Sequence, residues 1–193
     1  FIMMNMARHA VGIEAYAIAE RAYQRALIYA EERIQGRGVG THSDGRVPII
    51  QHPDVCRMLL EMKCRIDAMR ALSLYTAAAE DRAIHHVEEE DRLRNQNLVD
   101  VLIPIVKGWS SELGNDVAGR ALQVLGGMGF IEEAGAAQHY RDARVTTIYE
   151  GTTGIQAADL VRRKLLGDGG GLIREAISTI QVDVASVSSN DGK

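Results

Sequence analysis

The sequence is short of proline, aromatic residues and long hydrophobic runs. Only 3 of its 193 residues are proline and 5% are aromatic, whereas alanine is frequent. No apolar stretch approaches the roughly 18 to 20 residues of a membrane span, so we expect no membrane span. The net charge of -4 gives no sign of a surface for nucleic acid. With 46% hydrophobic and 25% charged residues, the composition is typical of a soluble globular protein that buries a core.

Cysteine is scarce as well, which argues against a disulfide framework. Cys56 and Cys64 lie within one helical pattern, and we expect both to be buried free thiols in a reducing cytoplasm. No secretory signal peptide is recognisable. The residues from Phe1 onward are already typical of the interior of an apolar helix. We therefore expect a cytoplasmic fragment of a larger protein.

The hydrophobic pattern predicts helices throughout the chain and no strands, because apolar residues recur at spacings of three and four. Long helices are predicted over 2–35, from about 52 to the charged run 85–92, and over 94–125, where Pro104 marks a kink or a break. Shorter helices are predicted over 131–140, 154–166 and 172–186. The predicted buried faces are Val11, Ala15, Ile18, Ala22 and Ala26 in the first helix, Val55, Leu59, Met62, Ile66 and Met69 in the second, and Leu102, Ile105, Trp109, Leu113 and Val117 in the third.

These elements predict an all-α fold, an antiparallel four-helix bundle with extra short helices. The domain is expected to cover residues 1–187, followed by a frayed tail over 188–193. A di-iron site in such a bundle requires Glu-x-x-His on two helices, and none of the six histidines follows a glutamate at that spacing. A Gly-x-Ser-x-Gly nucleophile motif is also missing. We therefore expect no metal ion.

The most informative segment is 141–156, in which Glu150 stands between an aromatic residue and a glycine. A partly desolvated carboxylate can have a raised pKa and can then remove a proton. The neighbouring glycines would let a substrate or cofactor approach the backbone. The same residues also fit a plain helix start, with Thr152 or Thr153 as the N-cap and Glu150 as an exposed acid. The segment alone leaves both interpretations open.

Two further segments have residues that suit phosphate. Gln123 precedes three glycines at a predicted helix end, where backbone N–H groups can meet phosphate oxygens. An ordinary glycine C-cap explains Gly126 or Gly127, but not all three glycines. Arg33 and Gln35 end the first predicted helix. An arginine there is favourable through the helix dipole alone, and it can also form a fork for phosphate.

Together the three segments resemble the C-terminal domain of the acyl-CoA dehydrogenase family. The motifs that carry the resemblance are Arg33-x-Gln35-Gly36, Gln123-x-x-Gly126-Gly127 and Tyr149-Glu150-Gly151-Thr152, in the order and spacing of that family. The resemblance covers nearly the whole chain. The run 159–170 looks most like the large members similar to 3-methylmercaptopropionyl-CoA dehydrogenase.

The resemblance implies a flavoprotein oxidoreductase of fatty acid metabolism, which uses FAD to form an α,β-double bond in an acyl-CoA thioester. Full-length members hold FAD between a β domain and this bundle, so we expect the fragment alone to be inactive and to bind FAD weakly or not at all. The implied electron acceptor is an electron-transfer flavoprotein, and the implied assembly is a homodimer or homotetramer. The alternatives are an acyl-CoA oxidase, a DNA-associated member of the superfamily, and a non-enzymatic helical interaction module. The acidic chain speaks against the DNA-associated member.

The resemblance also implies roles for single residues. Glu150 is the expected base, because Ala7 occupies the position before Arg8 where some members carry the base instead. The expected cofactor-binding residues are Arg33, Gln35, Gln123, Gly126, Gly127, Thr152 and Thr153, with Arg33 and Gln35 reaching FAD of a neighbouring subunit. The expected substrate-binding residues are Asn5, Arg8, Tyr149 and Gly151, where Asn5 replaces an acid that many members have. Arg144 is expected to tie the segment before Glu150 in place.

Overall fold

Seven helices and one short hairpin make up the part of the chain that the computed structural model describes, which is residues 2–40 and 45–190. The three long helices are α1 (Ile2–Glu32), α2 (Pro53–His85) and α3 (Glu89–Leu125). The later helices are α4 (Gly127–Phe130), α5 (Ala136–Val145), α6 (Thr153–Asp159) and α7 (Gly171–Asn190). A π-helix (Leu160–Leu165) continues α6, and 3₁₀ turns cover Ile49–Gln51 and Glu132–Ala134.

Turn residues end and begin the long helices as the sequence predicts. Pro53 occupies the start of α2, where its missing N–H would have no partner within the helix. Gly126 ends α3 with a φ of 60°, a value that suits glycine. The charged run 85–92 contains the short connection between α2 and α3, so these two helices are antiparallel neighbours.

The main core lies between α1, α2 and α3. α1 contributes a stripe of small side chains that are at most 1% exposed: Ala15, Ala19, Ala22, Ala26 and Ala30. Met62, Ile66 and Met69 of α2 are fully buried against it. Because alanine is small, the backbones of α1 and α3 approach closely, and a Cβ on Gly114 would lie 2.9 Å from the Ala15 carbonyl oxygen. The predicted buried faces of the first two helices are confirmed.

α7 supplies the fourth long helix. Leu172, Ile173 and Ala176 pack against the first half of α3, in a second apolar cluster that includes Leu98 and Leu102. Asp168 begins the helix, because its carboxylate accepts hydrogen bonds from three backbone N–H groups, and these bonds, above all that of Leu172, lower the pKa of Asp168. The predicted all-α bundle with extra short helices is confirmed. In the described residues, no helix has the length and apolar character that crossing a bilayer requires.

The prediction of a chain without strands is wrong after the first helix. α1 ends at Glu32, and a short strand β1 (Ile34–Arg37) pairs antiparallel with β2 (Arg46–Pro48). The register shifts within β1, where Gly36 has a φ of 74°. Strands of three and four residues are too short to show an alternating pattern, so periodicity does not detect them. Residues 41–44 of the predicted polar loop lie outside the described residues.

Several predicted helix boundaries need correction. α3 begins at Glu89 and runs through Pro104 without a break; Pro104 is itself buried, so packing on both sides holds the helix across the missing N–H. The helix predicted over 131–140 is a 3₁₀ turn followed by α5, and the helix predicted over 154–166 changes from α to π after Asp159. α7 continues to Asn190, into the expected tail, whose last residues 191–193 lie outside the described residues.

Three side chains that were expected to be buried are exposed. Cys56 and Cys64 are free thiols, as predicted, but both lie on the outer face of α2. Trp109 of α3 is 41% exposed, whereas its neighbours Ser110 and Ser111 are fully buried. α3 lies between α1, α2, α5 and α6, so its buried arc is wide and includes polar residues that an apolar stripe does not reveal.

Candidate active site

Glu150 lies in the turn between α5 and α6. Among the described residues it is the one non-glycine residue with a positive φ, at 53°, and Gly151 follows with a φ of 89°. A left-handed backbone costs an ordinary L-residue about 1–2 kcal/mol, so other contacts must hold it. The Glu150 side chain is partly buried, which leaves part of the residue accessible from outside the bundle.

Two buried side chains hold this turn through its carbonyl oxygens. Lys107 of α3 donates from Nζ to the Gly151 carbonyl at 2.6 Å. Gln156 of α6 donates from Nε2 towards the same carbonyl at 3.1 Å and the Glu150 carbonyl at 3.3 Å. Lys107 and Gln156 are at most 1% exposed. The backbone directly after the Glu150 side chain is therefore held by two buried groups.

The segment before the turn is anchored by polar residues of α3. Ser111 donates from Oγ to the Thr146 carbonyl at 3.0 Å, and Asn115 donates from Nδ2 to the Ala143 carbonyl at 2.8 Å. Both side chains are buried. Arg144 was expected to tie this segment in place, but its side chain is exposed and lines a surface cleft with Glu112 and Tyr140. The hydrogen bonds from α3 anchor the segment, and the role of Arg144 stays a prediction.

The side chains of the turn are held by acids on α1 and α3. The Tyr149 hydroxyl donates to the Glu14 carboxylate, and the Thr153 hydroxyl donates to Glu112 at 2.6 Å. Burial and the hydrogen bond to Glu14 raise the pKa of Tyr149 to about 12, so this hydroxyl keeps its proton at neutral pH. The Thr152 hydroxyl accepts from the Ile155 N–H at the start of α6, which confirms one of the two predicted N-caps.

Charged groups from three helices meet beside the turn. Burial, followed by the positive charge of Arg8, lowers the pKa of Lys107, while the carboxylates of Glu112 and Glu150 oppose this shift. Arg8 of α1 is paired with Asp159 of α6 at 2.8 Å, and their side chains are only 10% and 8% exposed. Arg8 and Glu150 both act electrostatically on Lys107, so the three residues form one charge cluster.

Asn5 lies about one helical turn before Arg8 on α1. Its Nδ2 donates to Asp100 of α3 at 3.3 Å. Asp100 also accepts a hydrogen bond from Gln96 at 3.1 Å and pairs with Lys164 at 3.2 Å. Asp100 of α3 thus contacts Asn5. Asn5 occupies the position on the first helix where the resemblance leads us to expect an acid.

The expected phosphate-binding residues meet elsewhere, at the other end of α1. Arg33, Gln35, Gly126 and Gly127 line one cleft of about 410 Å³. Gln123 is exposed and lines a neighbouring cleft of about 350 Å³ that also contains Arg144. Glu14, which contacts the Glu150 turn, and Glu32, at the end of α1, are about 27 Å apart at 1.5 Å per helical residue. The expected residues therefore form two separate groups in one chain.

Sequence reasoning missed the residues that support Glu150. Lys107 is about 50 residues before Gln156 and Asp159, and each of the three occupies a helix position that an apolar pattern assigns to the surface. A polar residue beside a buried apolar one, as at Lys107 next to Val106, could have indicated a buried polar side chain. This signal is weak, because most such lysines are solvated. Among the described residues, no group of three or more His, Cys, Asp and Glu side chains could hold a metal ion.

The arrangement suits proton abstraction, because one carboxylate is held on a rigid turn at the edge of a buried charge cluster. Comparisons with known proteins identify the family of the chain. Residues 2–165 match the family model described as acyl-CoA dehydrogenase, C-terminal domain. A 3-methylmercaptopropionyl-CoA dehydrogenase of Ruegeria pomeroyi is 51% identical over 188 residues, which are 97% of this chain and 32% of that protein.

Two further relatives extend the comparison. A broad-specificity linear acyl-CoA dehydrogenase of Mycobacterium tuberculosis is 38% identical over 98% of this chain and 32% of that protein. The solved structure of butyryl-CoA dehydrogenase from Megasphaera elsdenii has a TM-score of 0.68 and 28% identity, over 85% of this chain and 37% of that chain. The chain spans about a third of the length of these curated relatives.

Proposed function

Since the chain belongs to the acyl-CoA dehydrogenase family, whose C-terminal domain it contains, we propose that it carries the catalytic base of an FAD-dependent acyl-CoA dehydrogenase. The reaction forms an α,β-double bond in an acyl-CoA thioester. The observation that carries the proposal is the left-handed backbone of Glu150, which Lys107 and Gln156 hold in place. Strain of this kind persists only where the surroundings over-determine it, and it is concentrated at active sites.

In the proposed reaction the Glu150 carboxylate removes the proton from the substrate α-carbon. This proton is weakly acidic, so the base must face it from a fixed position with water excluded. The rigid turn provides the position, and the buried cluster below it keeps water from the backbone. Asn5, Arg8, Tyr149 and Gly151 are proposed to form the substrate side of the site. Tyr149 is held there by the hydrogen bond from its hydroxyl to Glu14.

The residues of the cleft at the end of α1 fit the phosphates of FAD. The space above Gly126 and Gly127 is open, because a Cβ on either would meet no other atom within 4 Å. Backbone N–H groups, the Arg33 guanidinium and the Gln35 amide are groups that bind phosphate oxygens. We assign them, with Gln123 beside them, to the phosphates, and Thr152 and Thr153 to the flavin next to Glu150. When bound, FAD accepts the hydride from the substrate β-carbon.

The separation of the two groups supports an oligomer. The Glu150 turn and the phosphate cleft lie about 27 Å apart along α1, at 1.5 Å per residue. They are therefore proposed to serve different FAD molecules, so that Arg33 and Gln35 bind a cofactor whose flavin belongs to a neighbouring subunit. A homodimer or homotetramer satisfies this geometry.

An electron-transfer flavoprotein is the proposed electron acceptor. It should support turnover of acyl-CoA by the full-length protein that contains this chain, and oxygen should not. Rapid formation of peroxide with acyl-CoA would instead identify an acyl-CoA oxidase.

Replacing the proposed base tests the function directly. In the full-length protein, Glu150→Gln keeps the size of the side chain but removes the proton acceptor. We expect the rate of flavin bleaching by acyl-CoA in a single turnover to fall by about 10²- to 10⁴-fold, the usual contribution of a general base. FAD should remain bound, which the absorbance spectrum of the purified variant reports.

The matched control is Glu89→Gln, which makes the same change on an exposed residue at the start of α3, away from the turn. It should bleach at the rate of the unaltered protein. A Glu150→Gln variant that is bleached at an unchanged rate would contradict the assignment of the base.

A further inference from the structure

Lys107 has the largest of the fully buried side chains in the described part of the chain. Lysine is among the residues that proteins least often bury, because transferring an ammonium group out of water is unfavourable. The lowered pKa of Lys107, caused first by burial and then by Arg8, shows the same penalty. A methionine at this place on α3 would pack without it. The presence of a lysine therefore calls for a reason other than packing.

The Lys107 ammonium group donates to the Gly151 carbonyl at 2.6 Å, its one acceptor among the described residues. Charge-assisted hydrogen bonds are shorter and stronger than neutral ones, and this bond has the length of a strong one. It acts on the peptide unit directly after Glu150, where the backbone is left-handed at two successive residues. Gln156 adds a weaker, longer bond to the same oxygen. Within residues 2–40 and 45–190, the ammonium group of Lys107 thus donates to the strained turn and to no other part of the bundle.

We propose that Lys107 is a positioning residue, which fixes the Glu150–Gly151 turn so that the Glu150 carboxylate faces the substrate α-proton. This inference rests on the proposed function of Glu150. Lys107 acts through the Gly151 carbonyl and does not touch the substrate. Its positive charge also lies near the Glu150 carboxylate, and Glu150 is among the groups that act on it electrostatically.

Lys107→Met in the full-length protein tests the proposal. Methionine has a similar length, and it removes a buried charge, so the fold and the bound FAD should remain. Without its main donor the turn loosens, and hydrogen–deuterium exchange of the backbone in 146–153 should rise, while exchange in α1 and α2 stays unchanged. This first readout requires neither substrate nor turnover.

The second readout separates positioning from a general loss of structure. Single-turnover bleaching measured over a range of acyl-CoA concentrations gives the limiting rate per bound flavin and the apparent substrate Kd independently. Misplacing a reacting group by about 1 Å can cost a factor of about 100, so we expect the limiting rate to fall by about 10- to 100-fold with little change in Kd. A purely structural role would lower flavin content or thermal stability and leave the limiting rate per bound flavin unchanged.

Two further variants keep the test decisive. Thr76→Val removes another fully buried polar group, whose hydroxyl bonds within α2, and it should leave the limiting rate unaltered. If Lys107→Met does not yield flavin-loaded protein, Gln156→Leu removes the second donor to the same carbonyl and should lower the limiting rate in the same way. An unchanged limiting rate for Lys107→Met would overturn the proposal, whatever the exchange in 146–153 shows.

The outcome for Glu150→Gln distinguishes this proposal from the one it rests on. If Glu150→Gln is bleached normally, the function proposed for Glu150 is wrong whatever Lys107→Met does. If Glu150→Gln is inactive and Lys107→Met bleaches at the native limiting rate, only the positioning role of Lys107 is wrong.

Discussion

Arg8 and Asp159 form an ion pair with almost no access to water, since their side chains are 10% and 8% exposed. The attraction between two buried charges seldom exceeds the cost of removing both from water, so such a pair is poor evidence of added stability. Each charge nevertheless depends on the other, because either one alone would be buried without a partner. At the residue scale, the pair therefore couples α1 to α6 beside Glu150.

Removing one member of the pair should destabilise the protein by about 3–5 kcal/mol, the range seen when a buried ion pair is broken from one side. We expect this loss for Asp159→Leu and for Arg8→Met, measured by urea unfolding. The double variant should lose far less than the sum of the two, because no unpaired charge remains. Arg163 lies 3.5 Å from Asp159 but is 58% exposed, so it should not substitute for Arg8. Additive losses in the double variant would show that the two charges are not coupled.

At the scale of the element, α1 and α3 are set close together by small residues. Gly114 faces the Ala15 carbonyl across the helix pair, and Gly12 faces Val106 from the other side. A Cβ on Gly12 would lie 2.5 Å from the Val106 side chain. Since Lys107 follows Val106 on α3, this close contact also sets the depth at which Lys107 reaches the Glu150 turn.

Two glycines of α3 provide a matched pair of substitutions. Gly119→Ala should stabilise the protein by up to about 1 kcal/mol, because alanine is the better helix former and its Cβ would be 3.5 Å from Tyr140, an ordinary contact. Gly114→Ala offers the same helix gain, but its Cβ would press on the α1 backbone, so we expect a net loss of about 1–3 kcal/mol. Thermal unfolding of both variants measures the difference. A stabilising Gly114→Ala would mean that α1 and α3 can separate at little cost.

The helices that could be predicted from the sequence are those that repeat a pattern over many turns. The alanine stripe of α1 and the Met62–Ile66–Met69 face of α2 are regular enough to identify both elements and their buried sides. The strands β1 and β2 and the π-helix after Asp159 could not be predicted, because each is shorter than the window that reveals a period. Burial of Ser110 and Ser111 beside the exposed Trp109 could not be predicted, because it depends on the several helices that enclose α3.

Glu150 could be proposed as the base from its neighbours in the sequence, whereas the residues that hold its turn could not be predicted. The motif around Glu150 is continuous, so a resemblance can carry it. Lys107, Gln156 and Glu14 reach the turn from three different helices, and their convergence depends on how those helices pack. Only the folded chain brings such residues together, and a single sequence contains no record of their proximity.

At the scale of the molecule, the Glu150 turn and the Arg33 cleft lie about 27 Å apart along α1, at 1.5 Å per residue, and are proposed to contact different FAD molecules. Cofactors usually have most of their surface buried by the protein that binds them. The cleft lined by Arg33 and Gln35 is open to solvent, and the chain spans about a third of the length of its relatives. We therefore propose that tight binding of FAD requires surfaces beyond this chain.

We accordingly expect this chain, expressed and purified by itself, to contain little FAD and to leave acyl-CoA unchanged. The ratio of flavin absorbance to protein absorbance measures the cofactor content, with the full-length protein as the control. One FAD per chain in the isolated protein would contradict this expectation, because it would show that the described surfaces suffice.

At position 150, the residue that suits the backbone conformation differs from the residue that suits the proposed reaction. Asparagine or glycine would adopt a φ of 53° with less strain, so either would make the turn easier to form. Selection for thermal stability alone would favour asparagine or glycine at position 150. Either substitution would remove the carboxylate. Glu150 should therefore be kept in any stabilised variant of this protein, because the backbone strain there accompanies the carboxylate that is proposed to act as the base.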